Sequence, residues 1–120
     1  MTQTKLKRFQ EWLRVMGTDF DRAVLDDPDF AASIPLNAYV LFQLKVDGVS
    51  DPQLLAEVEE FNDWLRGLAK RQRDPDQPIY RATLVIHYRP PEKIGKHKLI
   101  FDRRSLERFP RDFQITPMHS

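Results

Sequence analysis

The chain has 120 residues, a formal net charge of +1 and a mean hydropathy of -0.56, with 41% hydrophobic and 31% charged side chains. That is enough for one hydrophobic core and too apolar for a wholly disordered chain. The absence of cysteine excludes disulfides, thiolate catalysis and iron–sulfur clusters, and no apolar run approaches the ~20 residues of a membrane span. The expectation is a soluble cytoplasmic α/β domain over residues 1–113, followed by a mobile tail over 114–120.

Leu6, Phe9, Leu13, Met16, Phe20 and Val24 recur at steps of three or four, which predicts an amphipathic helix after a Thr4 cap. Asp26-Asp27-Pro28 stops it. Asp27 can then cap a short second helix with Pro28 in its first turn. Residues 38–46 alternate as a strand. Val40, Phe42, Leu44 and Val46 point toward a core, and Tyr39, Leu41, Gln43 and Lys45 point the other way. Ser50 or Asp51 caps the next helix, which runs to about Arg71 on a stripe of Leu54, Val58, Phe61, Leu65 and Leu68. Pro75 and Pro78 close the loop behind it.

Residues 79–89 form the second predicted strand. Ala82, Leu84 and Ile86 share its inner side, and Ile79, Arg81, Thr83, Val85, His87 and Arg89 its outer side. Lys98–Phe101 is predicted as a third, antiparallel strand, with one turn over Leu106–Phe109 capped by Ser105. The order is therefore α-α-β-α-β-β. It gives an α+β fold in two layers, whose small mixed sheet contains one right-handed β-α-β crossover.

The run Asp19-Phe20-Asp21-Arg22, then Pro28-Asp29-Phe30-Ala31, Ile34-Pro35, Phe42-Gln43, Glu60-Phe61-Asn62-Asp63-Trp64, Leu68-Ala69-Lys70-Arg71-Gln72 and Gln77-Pro78-Ile79 resembles a family of short bacterial and archaeal proteins classed as a domain of unknown function. The resemblance spans residues 19–90. The stretch between Val46 and Val58 is longer than that pattern, and residues 91–120 have no counterpart in it. It implies one small α/β domain and supplies no activity and no catalytic residue.

Chemistry is sparse. No serine sits in a nucleophile elbow and no glycine-rich phosphate loop exists. His87 and His97 can meet across a hairpin near Asp102, a set suited to a divalent ion. Ordinary strand and loop roles account for them better, so no catalytic residue, metal or cofactor is expected. Charge is more informative. Residues 1–60 hold six basic and eleven acidic groups, and residues 61–120 hold thirteen and seven. The candidate binding face is Tyr39, Leu41, Gln43, Lys45, Arg81, Thr83, His87 and Arg89, joined by a basic segment with Lys93, Lys96, Lys98, Arg103 and Arg104.

Two functions fit this pattern. Leu41 and Val85 on an otherwise wet face, with Trp12 and Trp64 at the margins of the helix stripes, favour a non-enzymatic regulatory or adaptor protein that forms a homodimer. The alternative is single-stranded nucleic-acid binding through the basic face and segment. A minor third reading is an enzyme whose site forms between subunits. No membrane partner is expected.

Overall fold

In the computed structural model, which describes residues 2–87 and 110–118, the first apolar stripe winds into helix α1 (Gln3–Asp26). Thr2 rather than Thr4 caps it, accepting a hydrogen bond from the Lys5 N–H at 3.1 Å. A cap oxygen reaches the amide three residues on, and the helix starts two residues earlier than the stripe required. Helix α2 (Pro28–Ala32) follows, with the Asp27 carboxylate accepting from the Asp29 and Phe30 amides. Strand β1 (Tyr39–Asp47) leads to helix α3 (Pro52–Gln72), whose cap is Asp51, accepting from the Gln53 amide at 3.0 Å. Strands β2 (Ile79–His87) and β3 (Arg111–Met118) complete an α+β fold.

Among the described residues the sheet has the order β1-β2-β3. β1 and β2 run parallel, joined by the α3 crossover, and β3 returns antiparallel beside β2. The antiparallel neighbour of β2 is thus residues 111–118. Residues 114–118, expected as tail, are strand. Phe113 and Ile115 alternate with Gln114 and Thr116, and Pro117 is accommodated because it sits near the end of an edge strand. The expected strand Lys98–Phe101 and the turn after Ser105 lie outside the described residues.

The core forms between the helices and one sheet face. Leu44, Val46, Leu84 and Ile86 join Phe9, Trp12, Met16, Val58, Phe61 and Leu65 in one cluster. Phe9, Trp12 and Phe61 meet in the seam between α1 and α3. Lys5 bonds Glu60 at 2.9 Å across that seam, and Arg8 pairs with Glu57 beside them. Farther along α1, Phe20 meets Phe42 at 5.2 Å and Phe113 at 5.5 Å, edge to face. Val40 and Phe42, expected inside, are half-buried.

Three apolar residues read as interface candidates are already buried in the single chain: Trp12 at 2% exposure, Val85 at 3% and Leu41 at 8%. Trp12 is at the centre of the α1–α3 seam rather than at its margin. Val85 is in the central strand, with cross-strand neighbours Lys45 and Asp112 on either side. Leu41 joins the core cluster because α3 runs along the outer edge of β1, within reach of both faces of that strand. Trp64 is half-buried against Phe9 and Phe61.

Asn62 explains how α3 holds that edge. It is the buried polar residue of the apolar stripe, 6% exposed. Its amide accepts from the Leu44 N–H and donates to the Leu44 C=O, both at 2.9 Å. The side chain stands in for a neighbouring strand and satisfies backbone groups that would otherwise be buried unpaired. Among the described residues no helix is long and apolar enough to cross a membrane.

Candidate functional site

The register sets out in rows the sheet face that carries Arg81 and Thr83, whose first residues also pack against the core. Tyr39, Ile79 and Met118 form the first; Leu41, Arg81 and Thr116 the second; Gln43, Thr83 and Gln114 the third; Lys45, Val85 and Asp112 the fourth; Asp47 and His87 the last. Tyr39, Leu41, Gln43, Lys45, Arg81, Thr83 and His87 therefore share one face, as strand alternation requires. Arg89 and the basic segment with Lys93, Lys96, Lys98, Arg103 and Arg104 lie outside the described residues. Gln114, Thr116 and Asp112 were missed, because only the β2–β3 register reveals them. Asn62 was missed too, although a polar residue between Val58 and Leu65 on an apolar stripe was a readable signal.

A groove of about 410 Å³ lies between this face and α3. Gln43, Lys45, Arg81, Thr83, Gln114 and Thr116 make its polar floor, and Leu55 and Val58 contribute an apolar wall beside Glu59. None of the floor side chains hydrogen-bonds or ion-pairs with the rest of the chain among the described residues. Arg81 is half-buried there and Lys45 exposed.

His87 closes one end of the sheet. Its Nε2 lies 2.9 Å from Asp112 and its Nδ1 3.4 Å from Asp47, so one imidazole bridges all three strands. The hydrogen bond to Asp112 is the largest influence and raises the His87 pKa above the ordinary imidazole value; loss of hydration, the next in size, opposes it, and Asp47 adds a further rise. Among the described residues no group of three histidine or acidic side chains is arranged to hold a metal ion. His97 and Asp102 lie outside those residues.

Two features temper the basic character of the face. Asp47 and Asp112 share it with Lys45 and Arg81. Tyr39, the one Phe, Tyr or Trp ring on it among the described residues, has its hydroxyl bonded to Gln72 at 3.1 Å, and partial burial pushes the phenol pKa up. A second hollow, near the end of α1, is lined by Asp19, Asp27, Arg111 and Asp112 among others. Four of its charges are engaged internally, since Arg111 bonds Asp19 at 3.3 Å, Asp27 caps α2 and Asp112 holds His87, while Arg22 and Asp26 also line it.

Comparison with family models, with curated proteins and with solved structures finds no match to this chain.

Proposed function

We propose that the chain is a non-enzymatic interaction protein that works as a homodimer, its two copies joined through the outer edges of β3. The supporting observation is the direction of the β3 backbone. The Tyr39 N–H donates to Pro78 and the His87 N–H to Pro110, which fixes the alternation across the sheet. Asp112, Gln114, Thr116 and Met118 turn their amides toward β2. Arg111, Phe113, Ile115 and Pro117 turn theirs outward. Pro117 agrees with this parity, since its missing N–H costs the sheet nothing there. On the β1 edge Asn62 bonds both backbone groups of Leu44, whereas among the described residues no strand pairs with the outer edge of β3.

An edge with no partner among the described residues is self-complementary. Antiparallel pairing with a second copy about Gln114 sets Phe113 opposite the partner's Ile115 and forms about six main-chain bonds, against about four when centred on Ile115. That register joins half-buried apolar side chains on the helix side and the two Gln114 amides on the other. The wide apolar area first invoked for dimerisation is not needed.

Sedimentation at micromolar concentration tests the reading. The expected species has about twice the 14.2 kDa chain mass. Ile115→Pro removes an outward N–H and leaves the β2–β3 ladder intact, so it yields a folded monomer. A monomeric parent chain, or an undiminished dimer in Ile115→Pro, rejects edge pairing.

A further inference from the structure

We propose that the groove between α3 and the polar sheet face binds a small, elongated molecule with an anionic group at each end. Arg81 and Lys45 supply the two charges. Arg81 lies opposite Leu41, and Lys45 is four residues farther along β1, a separation of about 13 Å between backbones. Both residues line the groove, and their long side chains can bracket a shorter ligand. The Arg81 guanidinium offers a planar fork that matches a carboxylate or phosphate, and the Lys45 ammonium a point charge.

Between the cations lies the row Gln43, Thr83 and Gln114, with Thr116 beside Arg81. These amides and hydroxyls supply donors and acceptors for hydroxyl or carbonyl groups in the body of the ligand. Their lack of partners among the described residues is the feature that points to a ligand. A half-buried guanidinium is normally paired. Here no carboxylate pairs with Arg81 among the described residues; Glu59, at the groove wall, is 4.0 Å from Arg66. Leu55 and Val58 give the groove one apolar wall for the body of the ligand. The volume of about 410 Å³ is that of a small-molecule site. A hydroxylated dicarboxylate and a bisphosphorylated sugar share the required chemistry. Stacked bases do not, because among the described residues no aromatic side chain lines the groove.

Calorimetric titration distinguishes the sources. The probes are dicarboxylates of rising length from succinate to suberate and fructose 1,6-bisphosphate, with acetate and inorganic phosphate as single-charge controls. A two-charge probe is expected to bind at least about tenfold tighter than its one-charge control. Lys45→Gln and Arg81→Gln each lower that affinity about tenfold, Glu59→Gln raises it, and His87→Gln leaves it unchanged. Lys45 is exposed, so Lys45→Gln keeps the fold even if Arg81→Gln proves unstable. Equal affinity for one-charge and two-charge probes overturns the proposal, as does affinity unchanged by Lys45→Gln. Absence of binding by every probe at about 10 mM does so too. Salt-sensitive binding of a single-stranded oligonucleotide without binding of any two-charge probe replaces it with the nucleic-acid reading. The same titration on Ile115→Pro separates the groove from edge pairing, since the floor residues all come from one chain.

Discussion

Asn62 turns a helix into a partner for a strand edge. A Leu44 N–H and C=O pointing away from β2 need hydrogen-bond partners once α3 excludes water, and one carboxamide supplies both. Asn62→Ala strands the two groups and is expected to lower unfolding free energy by about 2–4 kcal/mol in urea titrations. A loss below about 0.5 kcal/mol would show that water replaces the side chain. His87 behaves differently because it is exposed to solvent. Its folded pKa is raised above the unfolded value, so its bridge contributes fully below about pH 6.5 and is lost as pH rises through the folded pKa. Nuclear magnetic resonance titration should place His87 above the ordinary value. Asp112→Asn should return it farther than Asp47→Asn, because the Asp112 bond is the larger cause. Equal shifts in the two variants would reject that ranking.

At the scale of elements, the helices and the parallel pair were readable and the last strand was not. Helix stripes such as Leu54, Val58, Phe61 and Leu65 repeat over several turns, and tertiary packing uses the same side chains. Phe61, fully buried, follows the expectation: Phe61→Ala should cost about 3–5 kcal/mol, measured against a smaller loss for half-buried Phe42→Ala. β3 offers one short alternation, broken by Pro117 and flanked by charge, and an edge strand leaves little else in its sequence. The candidate face shows the same division. Gln43, Lys45, Arg81 and Thr83 followed from alternation within single strands. Gln114 and Thr116 required a register that depends on pairing distant segments. Gln114→Pro removes an amide aimed at β2 and should destabilise the sheet by about 1–3 kcal/mol, whereas Ile115→Pro should leave the β2–β3 ladder unchanged. Equal destabilisation by the two would reverse the assigned parity.

The whole molecule joins a charged α1–α3 seam, a three-stranded sheet and, in the proposed assembly, a second sheet continuing the first. Such an assembly makes stability depend on concentration. Unfolding of a dimer to two chains is favoured by dilution, so the thermal midpoint rises with protein concentration, each tenfold increase contributing about 1.4 kcal/mol to the apparent stability of the pair. The midpoint of Ile115→Pro should stay fixed across the same range, because its folded and unfolded forms have equal numbers of particles. Salt provides a second axis. Edge pairing uses uncharged main-chain groups, whereas Lys5–Glu60 is a partly exposed ion pair worth little and screened by salt. Raising ionic strength should therefore shift the parent and Ile115→Pro midpoints together and leave the concentration slope intact. A slope that disappears in high salt would mean that the copies meet through charge, with the acidic N-terminal half of one facing the basic C-terminal half of the next, and not through β3.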